Sequence, residues 1–130
     1  MIFLETSFNI NLHVTKVQNH EKAIKLYENI EKEPKCISEM TIYETLTVLR
    51  KLKQPDNKIK EVYDFLANSK IITVFEDLYL YQKALDYTLN KNKIGFFDNL
   101  SYMVMKENNI KTIASFDPDF DIFQDIKRIG

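Results

Sequence analysis

The apolar residues of this chain change rhythm along its length, and that rhythm restricts the fold more than any other feature. Short apolar or β-branched runs fall at Ile2-Phe3-Leu4, Cys36-Ile37, Ile71-Ile72-Thr73-Val74-Phe75, Lys111-Thr112-Ile113-Ala114-Ser115 and Ile126 to Ile129. Such runs predict short strands. Between them, apolar residues recur every three or four positions, which predicts helices. One covers 20–32, with Asn19 as N-cap and Ala23, Ile24, Leu26, Tyr27 and Ile30 inward. A second covers 39–52, capped by Ser38, with Ile42, Tyr43, Leu46 and Leu49 on one face. A third covers 58–68, with Ile59, Val62, Phe65 and Leu66 inward, and two more cover about 78–91 and 97–108. Strands alternating with helices predict an α/β fold, a three-layer α/β/α sandwich on a mostly parallel sheet. The Pro-containing joints at Glu33-Pro34-Lys35 and Lys53 to Asn57 read as turns, so one domain over 1–130 is expected. In sheets of this kind, functional residues gather beyond the carboxyl ends of the strands.

Composition removes several chemistries. The only glycines are Gly95 and Gly130, too few for a phosphate-cradling loop. Cys36 is the single cysteine, which excludes an internal disulfide and a multi-cysteine metal site. His13 and His20 are the only histidines and flank an early loop; neither is assigned a role. With 18 Lys and Arg against 19 Asp and Glu, the net charge is −1, which argues against a uniformly basic nucleic-acid-binding surface. No apolar run is long enough to span a bilayer, and the amino terminus lacks the pattern of a signal peptide. A lone cysteine without an export signal makes the cytoplasm the expected location.

What remains is a chemistry of carboxylates. Glu5 directly follows the first predicted strand, Asp117 lies just past the fourth, Asp98 opens a helix, and Glu44 lies on the helix after the second strand, beside Thr41, Thr45 and Val48. Converging carboxylates repel unless they hold protons or a divalent cation. An all-oxygen set suits Mg²⁺ or Mn²⁺, and such a site activates water and stabilises charge on a phosphodiester. Each acid alone also has a plainer reading. Asp98 resembles a helix-dipole or capping residue, Asp117-Pro118-Asp119 an ordinary turn, and Glu44 a solvated helix position. Glu5 is harder to dismiss, because an acid between Phe3-Leu4 and Phe8-Ile10 is costly to bury without a partner.

In order and context these segments resemble the PIN-domain ribonucleases, and within them the VapC toxins of toxin–antitoxin pairs. The likeness rests on Ile2-Phe3-Leu4-Glu5-Thr6-Ser7, Ile37-Ser38 through Tyr43-Glu44-Thr45, Phe97-Asp98 before Leu100, Ser115-Phe116-Asp117-Pro118-Asp119-Phe120, and the terminal Ile126 to Ile129. It implies a metal-dependent endoribonuclease with Glu5, Glu44, Asp98 and Asp117 as the catalytic acids. Glu5, Asp98 and Asp117, with Asp119 as an accessory, would hold the Mg²⁺ or Mn²⁺, and Thr6, Ser7 and Ser115 would orient carboxylates or bound water. It also implies an antitoxin partner, a homodimer and an RNA substrate, with transfer RNA the first guess. One departure stands out: the family's first acid is nearly always Asp, whereas this chain has Glu5. The extra methylene moves the carboxylate by about 1.5 Å, a displacement large enough to lower catalysis on the order of 100-fold. Two accounts stay open, a natural ligand with a displaced metal or a substitution that weakens a toxic nuclease. The second makes the chain a weakened PIN-fold module that binds RNA or an antitoxin without efficient cleavage. A phosphoacceptor receiver domain, also α/β, would want paired acids where Thr6-Ser7 stand.

The densest basic segment holds Arg50, Lys51, Lys53, Lys58 and Lys60, and is either a phosphate-tracking edge or a solvated turn. Arg50, Lys51 and Lys53 are the candidate RNA-binding residues, with Lys91 and Lys93 a second group near Asp98. The seven tyrosines, Tyr43 among them, are able to stack bases, but most sit at helical spacing and read as core or interface, and Leu78-Tyr79-Leu80-Tyr81 is a candidate antitoxin contact.

Overall fold

The structure is a computed structural model and describes residues 1–130. Five parallel strands, β1 (Ile2–Leu4), β2 (Lys35–Ser38), β3 (Ile71–Val74), β4 (Thr112–Ala114) and β5 (Lys127–Ile129), lie side by side in the order β3-β2-β1-β4-β5. Parallel neighbours need long crossovers, and helices supply them. Helices α1 (Thr6–His13) and α2 (His20–Asn29) join β1 to β2, and α3 (Glu39–Lys51) and α4 (Asp56–Leu66) join β2 to β3. The return to β4 runs through α5 (Leu78–Asp86), a π-helical turn Tyr87–Lys91, and α6 (Phe96–Glu107). A short 3₁₀ helix, Pro118–Ile122, precedes β5.

The strand pleat divides the core into two layers. Ile2, Leu4, Ile37, Ile71 and Ala114 pack with α1 to α4 on one face of the sheet. Phe3, Cys36 and Ile113 pack with α5 and α6 on the other. This is the three-layer sandwich expected from the alternating pattern, and all of its strand pairs are parallel. The chain leaves β1 toward β2 and β3, then returns to place β4 on the opposite side of β1. The order therefore reverses between β1 and β4, and in open sheets of this kind ligands bind beyond the carboxyl ends at such a switch point. No helix is long and apolar enough to cross a membrane.

Several local expectations change. Helix α1 was not visible in the sequence, because Phe8, Ile10 and Leu12 alternate with polar residues at period two rather than at helical spacing. Wedged between the sheet, α2 and α3, it buries Phe8, Asn9, Ile10 and Leu12 at once, so tertiary packing rather than one amphipathic stripe holds it. Asn19 occupies the N-cap position of α2, but its side chain makes no capping bond; its own N–H donates to Asn11 Oδ1. Tyr43 faces outward, half exposed, rather than into the core. Ser38 caps α3 by accepting from the Thr41 amide.

Candidate metal centre

Backbone pairing fixes the centre first. Leu4 and Ala114 end their strands in register, and the Glu5 N–H donates to the Ala114 carbonyl at 3.1 Å. Glu5 and Ser115 therefore leave the sheet side by side at the switch point. Glu5 is 5% exposed and is the N-cap of α1. Its Oε2 accepts from the Ser7 amide at 2.9 Å, the Ser7 hydroxyl at 2.5 Å and the Ser115 hydroxyl at 2.7 Å. Each hydroxyl also accepts a backbone N–H, Ser7 from Phe116 and Ser115 from Asp117. A hydroxyl has one proton to give, so the 3.2 Å contact between the two serines is a packing contact while both donate to Glu5. Burial raises the Glu5 carboxyl above its ordinary range, against the lowering effect of these donors, and Glu44 raises it further.

The other acids approach from different elements. Asp117 follows β4 and caps the 3₁₀ helix, its Oδ1 accepting from the Asp119 amide at 2.9 Å. Asp98 lies in the first turn of α6, where Gly95 is the N-cap. Carboxylate oxygens of Asp98, Asp117 and Asp119 all lie within 4.8 Å of one another. Glu5 and Glu44 stand outside that group but within its field. Glu44, on α3, accepts from the Thr6 hydroxyl. No Lys or Arg pairs with any of these five acids, and Asp98 accepts no hydrogen bond from the protein. Burial, then Glu5, Asp117, Glu44 and Asp119, push the Asp98 carboxyl up to about 7.

This donor set fits a divalent cation. Oxygens not engaged by the protein remain on Asp98, Asp119, Asp117 and Glu44, and on Glu5 at Oε1. Such hard, all-oxygen donors match Mg²⁺ and Mn²⁺. A cation must displace the Asp98 proton below neutrality. Apparent Mn²⁺ affinity, followed by calorimetry, is therefore expected to rise about tenfold between pH 6 and pH 8, given a carboxyl near 7. A flat profile would contradict this.

Two supports for the acids had little sequence signal. Arg128 on β5 donates from Nε to Asp121 Oδ1 at 2.8 Å, from Nη2 to Asp121 Oδ2 at 3.0 Å, and from Nη1 to the Ser115 carbonyl at 3.1 Å. It ties both ends of the loop carrying Asp117 and Asp119. Arg128→Ala is expected to cost only about 1 kcal/mol of stability, as a partly exposed pair does, while weakening Mn²⁺ binding several-fold in a titration. The second support is Asn99, fully buried next to Asp98. Its amide exchanges hydrogen bonds with Asn92, at 2.7 and 3.0 Å, and donates to Thr88 at 3.0 Å. This pins the start of α6. An Asn inside an otherwise apolar helix core was the one available clue.

The basic segment is partly neutralised. Arg50 pairs with Asp56 at 2.8 Å, Lys58 with Glu61 at 3.6 Å and Lys60 with Asp64 at 2.5 Å, whereas Lys51 and Lys53 are in no ion pair. Lys91 and Lys93 are exposed and likewise unpaired. Leu78 and Tyr79 are largely exposed, Leu80 is buried, and Tyr81 stacks on Phe96. Cys36 is fully buried, with its thiol pushed up to about 12 by burial, so it is an inert core residue.

Comparison with known proteins agrees with this fold. The family model for the PIN domain matches residues 2–126. Among solved structures, VapC20 from Mycobacterium tuberculosis, described as a sarcin-ricin loop cleaving toxin, superposes with a TM-score of 0.84 at 22% identity, over 94% of each chain. FitAcB from Neisseria gonorrhoeae gives a TM-score of 0.66 at 19% identity, over 100% of this chain and 97% of that one. FitAB bound to an IR36 DNA fragment gives 0.65 at 16% identity, over 99% and 94%. These likenesses are of fold. No curated protein sequence matches the chain.

Proposed function

This chain belongs to the PIN-domain family, and from that membership and its converging carboxylates we propose that it is a divalent-metal-dependent endoribonuclease, the toxin of a toxin–antitoxin pair. The observation that carries the reading is the approach of Asp98, Asp117 and Asp119 within 4.8 Å at the strand-order reversal, with none of the three in an ion pair with a Lys or Arg. A bound Mg²⁺ or Mn²⁺ supplies Lewis acidity and activates water for attack on a phosphodiester. Asp98, Asp117 and Asp119 would hold it, with Glu5 and Glu44 close enough for their charges to act on Asp98. Ser7 and Ser115 hold Glu5 in one orientation, and Thr6 does the same for Glu44. Arg128 keeps the loop of Asp117 and Asp119 in place. Cleavage of a labelled RNA is expected to cease in EDTA and return on adding Mn²⁺. Activity that persists in EDTA would sink the proposal.

A second reading, a weakened module that binds RNA or an antitoxin, has one observation in its favour: Glu5 stands outside the three-carboxylate group. A large gain in cleavage by Glu5→Asp would mean that the scaffold is competent and this residue limits it. Ile72, Phe75, Leu78, Tyr79, Leu85 and Leu89, on β3, α5 and the segments beside them, are each 49–69% exposed, apolar side chains of the kind a protein partner covers, whether an antitoxin or a second copy. A cytoplasmic RNA, transfer RNA first among candidates, completes the proposal.

A further inference from the structure

We propose that the depression between α3 and the start of α6 is a stacking subsite for one unpaired nucleobase adjoining the bond to be cleaved, an inference that rests on the nuclease reading above. The depression has a volume of about 430 Å³ and is lined by Met40, Tyr43, Glu44, Val48, Lys51 and Phe97. Two features connect it to the acidic centre. Glu44 belongs to both, since it lines the depression while its Oε1 is held by Thr6, the residue after Glu5. Phe97 immediately precedes Asp98 on α6. A polymer whose phosphodiester sits at the acids must carry its neighbouring nucleotide past this opening.

The lining selects a base rather than a phosphate. Tyr43 is 50% exposed and Phe97 42% exposed, so two aromatic side chains border the opening at a cost in hydration that their own packing does not recover. Tyr43 makes no hydrogen bond through its side chain and pairs with no other ring, while the only ring beside Phe97 is Phe96, edge-on at 5.6 Å between centroids. The inner end carries Glu44, which repels phosphate and tolerates a neutral ring. Lys51 is in no ion pair and lies two helical turns beyond Glu44, about 10 Å along α3, where it meets a following phosphate. Aromatic stacking on a base is strong and tolerant of sequence, and it requires a base whose face is free. The subsite therefore commits the enzyme to single-stranded stretches or loops. A protein segment would fill the apolar floor equally well but has no covalent reason to enter beside the acids.

The test is Mn²⁺-dependent cleavage of a short single-stranded RNA by wild type, Tyr43→Ala, Phe97→Ala and Phe97→Tyr, with Mn²⁺ affinity measured separately. Each alanine variant is expected to raise KM about 5- to 100-fold with Mn²⁺ affinity unchanged, and Phe97→Tyr to stay near wild type. One abasic nucleotide, at a fixed offset from the cleaved bond, should erase the difference between wild type and Phe97→Ala. An unchanged KM, a loss that no abasic position erases, or variants that lose only a protein partner would overturn the subsite and leave the nuclease reading standing. If wild type with Mn²⁺ cleaves no RNA, the nuclease reading falls and the subsite falls with it.

Discussion

Replacing Asp98 by Asn is expected to reduce metal-dependent RNA cleavage on the order of 100- to 1,000-fold while making the metal-free protein more stable. The two effects share one cause. Asp98 is drawn into a partly desolvated pocket among four other carboxylates, and no hydrogen bond or cation compensates it. Its folded-state carboxyl lies near 7 against 3.8 for the free group, so the folded state binds a proton that the unfolded state has released. A raised acid contributes stability fully below the unfolded value, and that contribution is lost as pH rises toward 7. At pH 8 the ionised Asp98 thus works against folding, and Asn removes that penalty. The gain is expected to be on the order of 1–4 kcal/mol and to shrink steadily as pH falls from 7 toward 4. Chemical denaturation of both proteins in EDTA across that range measures it. Adding Mn²⁺ should then stabilise wild type and leave the variant almost unmoved. A variant that is less stable without metal, or equally stabilised by it, would remove Asp98 from the metal site.

The second large effect concerns Glu5, whose oxygen Oε2 gathers donors from Ser7 and Ser115 and so joins the ends of β1 and β4. Glu5→Ala leaves those donors without their shared acceptor and removes the N-cap of α1. Each orphaned buried group costs about 1–3 kcal/mol. Loss of a buried charge, and re-pairing of the serine hydroxyls across their 3.2 Å contact, offset part of this. A net loss of roughly 2–4 kcal/mol is expected in urea unfolding, together with loss of cleavage. Glu5→Gln keeps an acceptor oxygen for the same donors and should lie within about 1 kcal/mol of wild type, yet cleave poorly because its charge is gone. If Gln is fully active, or Ala as stable as wild type, Glu5 neither serves the metal nor ties the strands.

Glu5 also illustrates how far the sequence could be read. Its position after an apolar strand marked it as an acid in need of a partner. The partner turned out to be a pair of serines contributed by α1 and the end of β4, residues separated from each other by 108 positions. Helix α1 carries no helical stripe in the sequence, because Phe8, Ile10 and Leu12 follow the rhythm of a strand, and only burial on several sides makes a helix of them. Tyr43 satisfied the helical stripe of α3 by spacing, yet the neighbour that would have covered it is absent from that side.

The sequence by itself determined the elements whose signals are local: the strands by their β-branched runs, most helices by their stripes, and Glu5 and Asp117 by their places after strand ends. Local periodicity encodes these because side-chain direction follows backbone repeat. Only the tertiary structure decided which acids share a site. The convergence of Asp98, Asp117 and Asp119, with Glu5 and Glu44 at its margin, depends on β1 and β4 pairing across more than a hundred residues and on Arg128 and Asn99 fixing the loops between. Distances between residues remote in the chain are set by packing, which no local periodicity records.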